Sequence, residues 1–368
     1  MKVVRIRVFR QHQPLRRGRY AMSHGGSSAF DSLIVALDAD DGVTGWGEMA
    51  VLSAVYGDAF ASGAHAGVAE LVPHLLGADP TQPRAVLATL DRAMRGQPYV
   101  KSALDMACWD TTARAAGRPL CETLGGRHGA AVPLYNVVTV SGIDDAVRLA
   151  RELIGEGYRR LQVKVGTDPY LDAERLAAVR DAVGNETVLY ADANGGFTTG
   201  DARRFLRATR TLEYLMEQPC RTYPECASLR PVCDRPLVLD ESIVQLDDLL
   251  RAHRDGVADG VTIKLQRVGG VTRAVLLRDV AVELGLEVTI EDAGGASLVT
   301  SAIVHVGLGT SEQQRAHTCD FHTWVTVDHG TGMPARSLGA QPPPVGHGLG
   351  IDVDVGALGD PILDVTQE

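Results

Sequence analysis

Three apolar runs in this chain end abruptly in a carboxylate. Val188-Leu189-Tyr190-Ala191 leads into Asp192, Tyr214-Leu215-Met216 into Glu217, and Pro236-Leu237-Val238-Leu239 into Asp240. From Asp192 to Glu217 is 25 residues and from Glu217 to Asp240 is 23, about the length of one strand, one helix and two loops. That spacing places the carboxylates at the C-terminal ends of three neighbouring parallel strands, where an α/β barrel puts its chemistry. Three converging carboxylates repel unless a cation sits among them. Hard oxygen ligands without His or Cys favour Mg²⁺, with Mn²⁺ as the alternative, over zinc.

Two lysines flank this trio, each ending a β-branched run: Lys164 in Leu161-Gln162-Val163-Lys164 and Lys264 in Val261-Thr262-Ile263-Lys264. They fall on the second and sixth predicted barrel strands, on opposite sides of the ring. A substrate between them presents one face to each. Burial and a nearby cation are expected to lower a lysine pKa toward neutrality, as a proton-abstracting base requires. Removing a proton next to a carboxylate creates a dianionic enediolate, and a divalent cation is its natural stabiliser. Asn194, two residues past Asp192, is expected to face the same way and to bind a ligand or the substrate.

The positioning elements are those of an α/β chain. Residues 1–125 read as an α+β capping domain: strands near 2–9, 30–38 and 45–48, then helices with Ala and Leu at three- and four-residue spacing. Residues 126–321 alternate strand and helix. Strands are expected near 133–138, 160–166, 188–194, 214–219, 236–242, 260–266, 287–293 and 315–320, a modified (β/α)7β TIM-type barrel. Residues 322–368 return to short strands and Gly/Pro clusters and are expected to pack back on the capping domain. The glycine-rich 16–26 loop reads equally as a lid or as a flexible connection.

The 368 residues are 45% hydrophobic, and the formal net charge is −10. That charge argues against a nucleic-acid surface, and no apolar run approaches the ~20 residues of a membrane span. The N-terminus reads as an edge strand and not as a signal peptide. The six cysteines show no metal-finger spacing and are expected as reduced thiols in a cytoplasm. A small-molecule carboxylate is the expected partner, and a homo-oligomer the expected assembly.

The motifs, in order, are GVTGWGE at 42–48, KSALDMACWD at 101–110, LGG at 124–126, VKVG at 163–166, DAN at 192–194, MEQP at 216–219, DES at 240–242 and IKLQRVGG at 263–270. Together they resemble the enolase superfamily, in its mandelate racemase and muconate lactonizing group, over nearly the whole chain. The resemblance implies Asp192, Glu217 and Asp240 as Mg²⁺ ligands and Lys164 and Lys264 as acid/base groups. It also implies closure of the 16–26 loop and the loop near Tyr56 over the substrate. One position departs: many relatives carry Lys-x-Lys on the second strand, and here Gln162 replaces the first lysine.

LQVKVG with MEQPC resembles the 4-hydroxyproline betaine 2-epimerases, whereas the cap, with AGVAELVPHLLGADP, resembles the cis-3-hydroxy-L-proline dehydratases. The expected reaction is therefore epimerisation or racemisation of a proline or proline-betaine substrate by a lysine pair. Dehydration of cis-3-hydroxy-L-proline, a cycloisomerisation on the same scaffold and a non-catalytic binding barrel are the alternatives. Asp320 and Phe321 are candidates for holding a substrate ammonium. Tyr56 is read equally as packing or as a substrate contact, and Asp292 as a site residue or a helix cap. Glu241 points away from Asp240 and is expected behind the metal ligands. His24 and His317 carry weak signals; Trp46 and Trp109 read as core.

Overall fold

The computed structural model describes residues 1–139 and 142–367. The N-terminal sheet has the Val3–Pro14 strand at its centre, antiparallel both to Ala29–Ala39 and to the tail strand Leu363–Thr366; Ala29–Ala39 in turn pairs with Thr44–Val51. The tail thus closes one edge of the capping sheet. The helices Ala61–Leu71, Pro83–Ala93 and Pro98–Ala115 follow, the last two beginning on a proline, whose missing N–H costs nothing there.

Two sequence motifs explain each other in this domain. Gly45 and Gly47, on one face of the Thr44–Val51 strand, let the Pro98–Ala115 helix lie directly on the backbone: a Cβ at Gly47 would come within 2.0 Å of the Ala103 carbonyl oxygen. Asp110, fully buried, accepts from Trp46 N at 2.9 Å and from Leu349 N at 2.6 Å, so one carboxylate ties strand, helix and tail together. Trp46 is core as expected, whereas Trp109 is only partly buried and donates to Thr272 across to the barrel. Gly47→Ala is expected to destabilise the protein by at least about 3 kcal/mol, because the clash is with backbone that cannot rotate away. Gly155→Ala, at a helix end with open space around it, is the control expected to be neutral or stabilising in the same thermal melts.

Seven parallel strands in sequential order form the barrel: Tyr135–Val138, Arg160–Lys164, Val188–Asp192, Leu215–Glu217, Leu237–Leu239, Gly260–Lys264 and Glu287–Glu291. Their faces are lined with Val, Ile and Leu, as sheets covered on both sides require. The expected eighth strand at 315–320 is not a regular strand. Residues 314–318 instead bond to both ends of the curled sheet. Val288 N donates to Gln314 O and Ala316 N to Val288 O, while Thr318 N donates to Pro133 O and Tyr135 N to Thr318 O.

The 16–26 loop also differs from its expectation. It contains a short hairpin, Tyr20–Met22 with Gly25–Ser27, docked on the barrel: Ser23 Oγ donates to Ala193 O, and His24 Nε2 contacts Asn194 O at 2.7 Å. All six cysteines are buried and free. Among the described residues no helix is long and apolar enough to cross a membrane.

Candidate active site

Strand register brings the predicted chemistry together. Lys164 lies beside Asp192, Asp192 beside Glu217, and Lys264 beside Glu291, each pair at matched positions on adjacent strands. Cross-strand neighbours at matched register point to the same face, so all of these side chains converge on the C-terminal mouth of the barrel. Each is nearly fully buried, and the contacts are short. Lys164 Nζ sits 2.5 Å from Asp192, and Lys264 Nζ sits 3.0 Å from Asp240 and 3.1 Å from Glu291. Arg267, from the turn after Lys264, pairs with the other oxygen of Asp240.

With protein charges alone around them, both lysines are governed by these ion pairs. Burial alone would lower both lysines, but the carboxylates outweigh it. Asp192, Tyr20 and Glu217 hold the Lys164 ammonium above its ordinary value, and Asp240, Glu291 and Tyr56 do the same for Lys264. Burial likewise works against ionised Asp240, yet Arg267 and Lys264 pull its carboxyl below the usual range. Glu217 moves the other way, far upward, through burial and the proximity of Asp192, Asp240 and Glu291. Among the described residues it has no ion-pair partner; only Gln162 Nε2 at 2.8 Å and Thr262 Oγ1 at 3.1 Å donate to it.

That imbalance tests the site against a metal. Asp192, Glu217, Asp240, Glu241 and Glu291 bring five carboxylates together, against the cations Lys164, Lys264 and Arg267. Glu217 and Glu241, buried carboxyls without a cationic partner among the described residues and pushed upward for that reason, fit one divalent cation of the Mg²⁺ kind, which would favour their ionised forms. Ligand atoms of Glu217, Asp240 and Glu291 lie within 4.8 Å of one another. Glu291 therefore stands in this cluster where the sequence placed Asp192, which is held by Lys164. Glu291 itself accepts from the Tyr135 hydroxyl.

The remaining predicted residues divide. Tyr56, Gln162, Lys164, Lys264, Asp292 and Phe321 line a single small pocket of about 20 Å³, walled also by Tyr20, Tyr135 and Trp324. This is room for about one water, so a larger ligand requires the docked hairpin or the Tyr56 segment to move. Tyr56 reaches across from the capping domain, its hydroxyl hydrogen-bonded to Lys264 and 3.4 Å from Asp240. Tyr20 and Trp324 separate the pocket from a cavity of about 850 Å³ outside the barrel mouth.

Asn194 and Asp320 do not line the pocket. The strand ends at Asp192, and Asn194 has φ +44°, so the alternation that would aim it inward is broken; its amide donates instead to Glu241 at 3.1 Å. The Glu241 carboxyl is pushed up to about 8 by burial and by Asp240 and Asp192. Asp320 is taken by Tyr158 OH and by Arg336 of the tail, both at 2.8 Å. Asp292 lines the pocket, and its carboxylate accepts from Gln266 N and Ala293 N; it does not cap the helix that follows, Ser297–Leu308, which begins after Ala296 without a side-chain cap. His317 is wedged between Tyr135 and Tyr190 in the barrel interior, and Tyr20, Glu291, Trp324 and Arg267 were not singled out from sequence.

Comparison with known proteins matches residues 4–125 to the mandelate racemase/muconate lactonizing enzyme N-terminal domain and residues 145–357 to the enolase C-terminal domain-like family. The chain is 37% identical to a cis-3-hydroxy-L-proline dehydratase of Roseibium aggregatum, across 98% of this chain and 99% of that one. It is 30% identical to an N-succinyl-L-Arg/Lys racemase of Bacillus cereus, across 83% and 84%. A mandelate racemase/muconate lactonizing enzyme from Roseovarius nubinhibens ISM, solved in complex with magnesium, superposes with a TM-score of 0.95 at 33% identity, covering 99% of this chain and all of that one. With both halves matched and the barrel-mouth chemistry in place, the chain belongs to the mandelate racemase/muconate lactonizing enzyme group of the enolase superfamily.

Proposed function

We propose that this protein is a Mg²⁺-dependent lyase that dehydrates a small cyclic β-hydroxy amino acid of the cis-3-hydroxy-L-proline kind. The observation that carries this is the placement of two buried lysines on opposed strands of one small pocket. In cis-3-hydroxy-L-proline the hydroxyl shares a ring face with the carboxylate, so the α-proton lies on the other face. Groups on opposite walls then suit loss of the two. The Roseibium relative's name points the same way, which reverses the order of the two readings given by the sequence motifs.

In this reading Lys264, as the free amine, takes the α-proton, and the electron pair moves into the carboxylate. The pair returns to form the Cα–Cβ double bond as the C3–O bond breaks, and the Lys164 ammonium protonates the departing hydroxyl, which leaves as water. The enamine product tautomerises to the cyclic imine. Asp192, Glu217 and Asp240 would hold the divalent cation, which supplies positive charge opposite the carboxylate as it becomes dianionic. Tyr56 and Tyr20 wall the site and keep water from the carbanionic carbon.

The same opposed lysines favour a second reading, in which Lys164 returns a proton to the opposite face and the product is an epimer. Proton NMR in D₂O with Mg²⁺ separates them, using cis-3-hydroxy-L-proline, L-proline betaine and 4-hydroxyproline betaine. Loss of the C3 carbinol proton with appearance of the imine establishes dehydration. Deuterium at Cα with a new stereoisomer and no imine establishes epimerisation, and no change with any of the three overturns the proline-type assignment.

A further inference from the structure

Gln162 is a neutral amide among the charged residues of the pocket, and its surroundings fix what it can do. Its strand ends two residues later at Lys164, so the two side chains stand side by side on the inner face and line the same pocket. It is 3% exposed. Nε2 donates to Glu217 Oε2 at 2.8 Å, and Oε1 has no partner among the described residues. The amide cannot be turned over without cost. The Nε2 contact to Glu217 sets this orientation, and a Glu217 holding a divalent cation would keep it, since a metal-bound carboxylate only accepts hydrogen bonds. The atom left for the pocket is a buried, unsatisfied acceptor.

Such an acceptor repels a carboxylate oxygen and is itself penalised while it lacks a donor. A lysine at this position would attract the substrate carboxylate; Gln162 does the reverse. We propose that Gln162 is a specificity-determining residue whose Oε1 accepts a hydrogen bond from the substrate's ring hydroxyl, holding that ring face beside Lys164 and the α-proton toward Lys264. Held this way, the hydroxyl donates to Gln162 and receives from the adjacent Lys164 ammonium, the group that protonates it on departure. This rests on the dehydratase reading above and adds to it the basis on which hydroxylated and plain ring amino acids are told apart.

The test compares equilibrium binding of cis-3-hydroxy-L-proline and L-proline to the Mg²⁺-loaded Lys264→Ala protein, which holds substrate without turnover, with and without Gln162→Leu. With Gln162 present, the hydroxylated ligand should bind about 10- to 100-fold more tightly than L-proline, the range set by leaving one buried acceptor unpaired. Gln162→Leu should reduce that ratio to about threefold or less. Gln162→Lys should strengthen L-proline binding relative to the hydroxylated ligand by supplying a cation for the carboxylate. Thermal melts and Mg²⁺ titrations of each variant show whether the fold and Glu217 are intact; where Gln162→Leu does not fold, the Gln162→Lys ratio decides. An unchanged ratio in folded variants overturns this inference alone. Failure of cis-3-hydroxy-L-proline to bind at all overturns the dehydratase reading and this inference with it.

Discussion

Lys264→Ala is expected to lower kcat/KM by about 10²- to 10⁴-fold, the usual contribution of a positioned general base, with loss of α-deuterium exchange as well as of product. Lys164→Ala should lose elimination to a similar extent but keep exchange at Cα, because the base that takes the α-proton is untouched. The two variants therefore differ in isotope content although both are poor catalysts. For a two-lysine epimerase the expectation is symmetrical: each variant exchanges one enantiomeric series and neither interconverts them. Exchange and turnover unaffected by either change would remove the lysines from the mechanism. Loss of the fold is the competing explanation for inactivity. Lys264 compensates both Asp240 and Glu291, so its removal leaves buried carboxylates unpaired, and thermal melts with Mg²⁺ present must accompany the kinetics.

Asp192, Glu217, Lys164 and Lys264 were legible in the sequence because each is a charge set in an apolar run. A period of two then fixes the face once a strand is assumed. The same rule identifies Glu291, since Lys264 and Glu291 share a register position; Asp292, one residue on, lies past the strand end and caps backbone N–H groups. The rule failed at Asn194 for a local reason. The chain turns left-handed immediately after Asp192, and side-chain alternation stops where extended backbone stops. Asp320 was misread for a nonlocal one: its partners Tyr158 and Arg336 come from distant segments, and nothing around residue 320 marks them. The eighth strand is replaced by an irregular segment whose hydrogen bonds reach both neighbouring strands, a closure set by three-dimensional curvature. Arg267 lay in plain view within IKLQRVGG, but a guanidinium two residues from a glycine pair carries no periodicity that would aim it at Asp240.

The lysine pKa values show the deepest limit of reading by residue type. Burial and a neighbouring cation were expected to lower them, yet with only protein charges around them the carboxylates dominate. The sign at each lysine depends on the total charge of the cluster, which no single motif contains. It also explains why Glu217 stands out among the strand-end carboxylates: Asp192, Asp240 and Glu291 each contact a lysine or Arg267, whereas among the described residues Glu217 has only neutral donors.

That charge inventory leads to the second large effect. Asp192→Asn, Glu217→Gln and Asp240→Asn are each expected to weaken Mg²⁺ binding by at least about a hundredfold, since even groups that only orient metal ligands contribute 10- to 100-fold. Glu291→Gln should leave Mg²⁺ affinity within about threefold, because Tyr135 and Lys264 hold this carboxylate against the barrel wall. The contrast between Asp192 and Glu291 is the informative one, as the geometry groups Glu291 with Glu217 and Asp240, while the strand order groups Asp192 with them. Binding linkage gives a readout independent of turnover: a ligand at a hundred times its Kd stabilises the folded state by about 2.7 kcal/mol. Mg²⁺ should thus raise the Tm of the wild type and of Glu291→Gln, but not of Asp192→Asn at the same concentration. If instead Glu291→Gln loses the Mg²⁺-dependent stabilisation and Asp192→Asn keeps it, the ligand set is Glu217, Asp240 and Glu291. Lys164 would then stay paired with Asp192 throughout the reaction, and Lys264, released from two carboxylates by the metal, would be the one lysine free to act as base.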